Sequence, residues 1–266
     1  MLGKLMKYEW KATWKLLLSA NLVIVVMTFA AWIMTNLVEY SATDFQMIDF
    51  VEIMVILTYV ISMFAVYVGT SIFLIYRFYT STYGDQGYLL HTLPVDTHHI
   101  ILAKVSVSAL WLLINSVMIT GSVLFLFTAR EDAFFTMMEG MADVIELMSG
   151  EEITLFTIIM TLVAYVFSLF AKVLKVGACI SLGQLSSNHK LMLSFAWYVG
   201  IYLVECVCSG VYFAIRLAFQ EYSNSYMSFA SYYDTQWETT LLAGILSCVI
   251  YYILTWYVMG RKLNLD

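Results

Sequence analysis

The sequence predicts an all-α membrane protein with six transmembrane helices and an interfacial helix at its N-terminus. Three observations carry that prediction. Of 266 residues, 62% are hydrophobic and 12% are charged, against about 25% charged in a soluble domain, and mean hydropathy is +0.83. The apolar residues fall into six stretches, each able to supply the roughly 20 residues that a span needs. A single proline leaves those stretches almost without helix breakers. Six such spans occupy most of the chain and leave no room for a sizeable soluble domain, so 1–266 reads as one transmembrane domain. The net charge of −6 argues against a nucleic-acid partner.

The elements follow in order. In residues 1–15, Lys4, Lys7, Lys11 and Lys15 recur at helical spacing on one face, and Met6, Trp10 and Trp14 form an i, i+4 ladder on another. That is the pattern of a basic amphipathic helix lying in the membrane interface. Spans are expected at about 16–37, 51–76, 105–128, 153–185, 191–217 and 241–259. Between the second and third spans, Arg77–Lys104 is the most polar long stretch and holds the proline, His91, His98 and His99. Between the third and fourth, residues 130–152 carry seven acids with apolar residues interleaved. Seven carboxylates do not cross a bilayer, so this segment reads as an amphipathic helix outside it. No cleavable leader is evident, because the first apolar run exceeds the usual h-region.

Lysine and arginine set the orientation. With the N-terminus inside, the inner segments hold Lys4, Lys7, Lys11, Lys15, Arg77, Lys104, Lys190, Arg261 and Lys262, against Arg130 and Arg216 outside. An even number of spans returns the C-terminus to the cytosol.

Most catalytic chemistry fails on inspection. No Gly-Lys-Ser or Gly-Lys-Thr occurs, so the chain has no phosphate-binding P-loop and is not expected to be an enzyme. All four histidines lie in predicted cytosolic loops, which leaves an intramembrane serine without a base. Glu151-Glu152 resembles the paired acids of CAAX-type intramembrane proteases, but Phe156 stands where those need arginine. Asp96 with His98-His99 lacks the ligand spacing of a metal site and reads as a solvated turn. Cys179, Cys206, Cys208 and Cys248 sit in apolar stretches and read as reduced structural residues.

Charges inside spans are more informative, since a lone charge at mid-bilayer costs at least about 2.5–3.5 kcal/mol. Spans four and five form a hairpin around His189. Lys172 and Glu205 lie 17 and 16 residues from it, which sets them at one depth as an ion pair; the alternative is that span four ends near Ala171 and leaves Lys172 and Lys175 at the cytosolic surface. Lys175 is the other lysine able to meet Glu205.

The loop after span two reads GYLLHTLPV from Gly87 and then ILAK. It suggests a short amphipathic helix stopped by Pro94. These segments resemble the cytosolic loop of the ATP-binding cassette (ABC) type-2 permease family of Firmicutes. KYEWKAT from Lys7, GQLSSNHK from Gly183 and RKLNLD from Arg261 resemble that family's N-terminal elbow helix, second cytosolic turn and C-terminal tail. The resemblance runs the length of the chain in order. It departs where relatives often carry an acid just before the glycine; here Gln86 stands there, with Asp85 one step earlier.

The resemblance implies a six-span permease subunit of an exporter in a bacterial plasma membrane, with both termini cytosolic. It implies a second permease subunit, identical or not, and separate ATPase subunits that carry the ATP and magnesium. Gly87, Tyr88, Leu89, Leu90, Leu93 and Pro94 would form the first ATPase-coupling helix, with Gln184, His189 and Lys190 in the second coupling element. Relatives move drugs, antimicrobial peptides, lipids or ions. The alternatives are a non-transporting sensor or anchor subunit of such a complex, and a secondary transporter.

Overall fold

The computed structural model describes residues 2–40, 46–84, 87, 96–128, 135, 138–139, 155–185, 189–223 and 229–261. Six long helices run through them: α1 Leu2–Tyr40, α2 Gln46–Tyr83, α3 Thr97–Phe127, α4 Leu155–Gly183, α5 Lys190–Ser223 and α6 Phe229–Arg261. No strand occurs among the described residues. Each helix contains a stretch long and apolar enough to cross a membrane. The chain therefore has the make-up of a multi-pass membrane protein.

The helices extend beyond the apolar stretches. α2 runs through Arg77 to Tyr83, and α3 begins at Thr97, so the predicted 77–104 loop contributes a turn or more to each neighbour. The N-terminus differs more. Leu2–Tyr40 is one continuous helix, where the sequence suggested a separate interfacial helix over 1–15. Beyond Gly3 the segment has no glycine or proline, so nothing in the backbone ends a helix at Lys15. Most of the expected 130–152 helix lies outside the described residues, as does the tail 262–266.

The chain divides into two compact units. The first comprises residues 3–77 and 106–147, hence most of α1, α2 to Arg77, and α3 from Ser106. Its α1 buries one stripe: Thr13, Leu17, Asn21, Ile24, Thr28, Ala31 and Thr35, the i, i+3/i+4 spacing of a single helix face. Thr28 and Thr35 return their hydroxyls to the carbonyls of Ile24 and Ala31, which satisfies a polar group without a tertiary partner. Trp10 stacks on Trp111 of α3 with centroids 4.6 Å apart, and Trp111 Nε1 donates to Thr13 Oγ1 at 3.0 Å. Arg77 links α2 to α1, with Nε and Nη2 donating to Glu9 Oε2 at 3.1 and 2.9 Å.

The second unit comprises residues 1–2, 78–105 and 148–266. Its core joins Ile100, Ile101 and Val105 of α3 to Leu174 and Ala178 of α4 and to Tyr251 and Met259 of α6. α4 is the central helix, packed against both α5 and α6. α5 is the least covered, with 6% of its most apolar stretch buried.

Candidate functional site

The polar groups inside the spans of the second unit converge on one carboxylate. Glu205 stands on α5 in a stripe with Tyr198 and Tyr202, at i, i+4 and i+7 spacing, so the three share a face. Lys175 of α4 donates to Glu205 Oε2 at 2.7 Å. Tyr251 of α6 donates to Glu205 Oε1 at 2.5 Å. Both carboxylate oxygens are thus engaged, each from a different helix. The ammonium also lies 5.3 Å from the Tyr198 ring centre and 5.8 Å from that of Tyr202, within cation–π range. The lysine side chain is 11% exposed and the glutamate 38%. The cluster cancels its own charge, ties three helices together and leaves part of one carboxylate accessible.

Glu205 therefore pairs with Lys175 and not with Lys172, the residue that counting from the turn singled out. Gly183 explains why. A Cβ there would collide with Ser194 Oγ and sit 2.8 Å from the Lys190 carbonyl oxygen, so glycine permits the close approach of α4 and α5. Lys172 is eleven residues before Gly183, and Glu205 eleven after Ser194. Their backbones are indeed level. Helical side chains, however, lean toward the N-terminus and cover the turn before their own Cα. Lys175 stands one turn C-terminal to Lys172, so its ammonium arrives at the level of Glu205. Lys172 is exposed and its side chain leans past that level.

Three further polar contacts involve residues that sequence reasoning placed in loops or passed over. Lys104 is buried in α3 and donates to Ser81 Oγ of α2. Tyr83 at the end of α2 shares a hydrogen bond with Ser181 of α4. His98 Nδ1 lies 2.6 Å from the Tyr252 hydroxyl of α6, and its ring stacks on Trp256. Asp96 and His98 are exposed, as expected of a solvated turn, and they open α3, where His98 also meets α6. The signal was present in ILAKVSV, where a lysine interrupts an apolar run, and in Glu9, a lone acid in a basic segment.

Of the expected coupling residues, Gly87 is helical and buried, and its N–H donates to the Gly84 carbonyl at 2.7 Å. A Cβ at Gly87 would collide with the Thr82 carbonyl oxygen, so only glycine fits. Tyr88, Leu89, Leu90, Leu93 and Pro94 lie outside the described residues. In the second turn, the Gln184 N–H donates to the Ile180 and Ser181 carbonyls at 3.2 Å, closing α4. His189 takes a left-handed φ of 61°, a conformation in which histidine is enriched among non-glycine residues. Its carbonyl accepts the Leu193 N–H at 3.0 Å, so α5 starts at Lys190. Around this turn Leu185, Leu191 and Met192 are exposed.

No family model, curated protein or solved structure matches this chain.

Proposed function

We infer that this chain is the membrane-spanning permease subunit of an ABC exporter, driven by a separate ATPase and paired with a second permease subunit. The observation that carries the reading is the Tyr83–Ser181 hydrogen bond, 2.5 Å long. Tyr83 is the last residue of α2 before the Gly84–Val95 segment, and Ser181 stands two residues before the end of α4. The two segments that resemble coupling elements thus emerge from helix ends fastened to each other. Phe78 reinforces the junction, since a Cβ at Gly177 would lie 3.1 Å from its ring. A force applied to either segment would enter one packed unit through α2 and α4 together. The exposed Leu185, Leu191 and Met192 offer apolar surface for a partner at the second turn.

In this reading 87–95 forms the first coupling helix, and the termini face the cytosol of a bacterial cell. ATP and magnesium belong to the ATPase. The acidic residues of 130–152 would face outward and attract cations, which favours a cationic molecule such as an antimicrobial peptide among the substrates that relatives move. The direct test is affinity purification of the chain from its native membrane. An ABC ATPase recovered in stoichiometric amount is the expected result; recovery of the chain alone, with transport surviving ATP depletion, would overturn the reading. The half-exposed Glu205 carboxylate favours a second reading, a secondary transporter that binds an ion there, and that same ATP-independent transport would support it.

The topology has its own test. In a background with the four native cysteines replaced, single cysteines at Glu139 and Ser225 are expected to react with an impermeant maleimide in intact cells, and one at Asp85 is not. Reaction at Asp85 from outside would reverse the orientation.

A further inference from the structure

The first unit contains three deeply buried side chains with polar atoms that no protein group satisfies: Asn115 Oδ1 and Nδ2, Asn21 Oδ1 and Thr70 Oγ1. Asn115 is 0% exposed, Thr70 2% and Asn21 7%. They stand on three different helices, and contacts within the unit bring them to one level.

Ser122 of α3 meets α2 at Tyr59, with the oxygens 3.0 Å apart, and at Met63, whose sulfur is 3.8 Å from its hydroxyl. α2 and α3 are antiparallel. Two turns back along α3 from Ser122 is Asn115, and two turns on along α2 from Met63 is Thr70. At about 100° per residue, Tyr59, Met63, Thr70 and Arg77 fall within a sector of about 40° on α2, as do Trp111, Asn115 and Ser122 on α3. α1 runs parallel to α3. One turn on from the Thr13–Trp111 contact, Leu17 stands level with Asn115. Asn21 is a turn further, but its Nδ2 donates back to the Leu17 carbonyl at 2.8 Å, which returns its amide to that same level. Thr70 is unusual among the buried threonines of this unit. Thr13, Thr28 and Thr35 each give their hydroxyl to a carbonyl of the preceding turn, and Thr70 does not.

We propose that Asn21, Thr70 and Asn115 hold ordered water between α1, α2 and α3, and that this hydrated node locks the register of the three helices. The chemistry selects the ligand. Asn115 presents an unpartnered donor and an unpartnered acceptor, Asn21 an acceptor, and Thr70 a hydroxyl that serves as either. Water both donates and accepts, and buried water characteristically bridges about three otherwise unsatisfied groups. A bare cation would leave the Asn115 amide N–H without an acceptor. It would also bring a net charge into the spans, because the described acid nearest in register, Glu9, is about two turns away and already bound to Arg77. Sliding any one helix by a turn separates its polar group from the node and strands the other two in a dry interior, where each unsatisfied group is costly. The node thereby acts as a buried asparagine does in a coiled coil, specifying register through the cost of mispairing.

Radiolytic hydroxyl-radical footprinting of the full chain in aerated lipid nanodiscs tests the proposal. Leu17 is 0% exposed, and it is expected to be oxidised in the wild type because a hydroxyl radical formed at the bound water beside it abstracts a side-chain hydrogen and dissolved dioxygen adds to the carbon radical left behind. The triple variant Asn21→Leu, Thr70→Val, Asn115→Leu is expected to lose that oxidation. Melting of the single variant Asn115→Leu gives an independent sign. If water satisfies Asn115, the variant melts several degrees lower. If the site is dry, removing an orphaned amide raises the melting temperature. An unoxidised Leu17 in the wild type, or a stabilised Asn115→Leu, overturns the proposal. So does a wild-type melting temperature that rises in sodium or potassium chloride but not in choline chloride at equal ionic strength, since that marks a cation site.

Discussion

Replacing Glu205 by leucine is expected to destabilise the purified protein by about 3 kcal/mol, the low end for breaking one partner out of a buried pair, because the carboxylate is 38% exposed. The variant strands the Lys175 ammonium within the spans and leaves the Tyr251 hydroxyl without its acceptor. Lys175→Met is expected to cost a similar amount, since it leaves the carboxylate uncompensated. Combining the two removes both charges, and most of the loss should return. The recovery stays incomplete while Tyr251 keeps its hydroxyl, so adding Tyr251→Phe should restore more. Lys172→Met is the control. It is exposed and off the pair, and its effect should add to that of Glu205→Leu without coupling. The measurement is a double-mutant cycle from melting or denaturant curves in one detergent. A coupling energy of about 0.5–3 kcal/mol for Lys175–Glu205, with none for Lys172–Glu205, is the expected outcome. The reverse pattern would mean that the lysines exchange roles in the membrane.

Changing Leu89 and Leu93 together to aspartate is expected to abolish transport while leaving the six-helix fold and membrane insertion intact. In the proposed permease these leucines form the apolar face of the first coupling helix. A few apolar anchors usually dominate such an interface, each costing about 2 kcal/mol or more when truncated. Two aspartates also place unpaired charge where apolar surface should close. Pro94 disfavours helix at the residue before it and lacks an N–H, so it would end the coupling helix and set its exit. The ATPase should keep its basal turnover and lose stimulation by the permease. Co-purification, with ATP hydrolysis in proteoliposomes, reads both effects. A variant that still holds its ATPase and still transports would show that the loop transmits no force.

These two predictions rest on different kinds of information. Leu89 and Leu93 were chosen from a linear pattern, GYLLHTLPV, and its likeness to a family. The Lys175–Glu205 pair needed coordinates. Sequence counting gave the right depth and the right glutamate, and it named Lys175 as well as Lys172. It put Lys172 first, and the structure puts Lys175 there, because the choice depends on the direction in which a side chain leaves its helix.

The six helices were legible in the sequence because a lipid environment imposes a simple rule. A span must be long, apolar and internally hydrogen-bonded, and each of these requirements is local in the chain. Helix ends were less legible, because Tyr83 and Thr97 extend their helices through tertiary contacts near the polar loop. The continuity of α1 past Lys15 was misread for a related reason. The amphipathic face of residues 1–15 looked interfacial, yet Thr13 is buried and Trp10 stacks on Trp111. A tryptophan ladder suits a membrane interface and a helix partner equally, and only packing distinguishes the two. The sequence by itself thus determined the number of spans, their approximate bounds and the charge asymmetry between their ends. The tertiary structure decided which buried polar groups meet. Lys104 with Ser81, Arg77 with Glu9 and Tyr251 with Glu205 are separated by 23 to 68 residues, and such pairs depend on helix rotation and register, which arise from the packing of all neighbouring side chains at once.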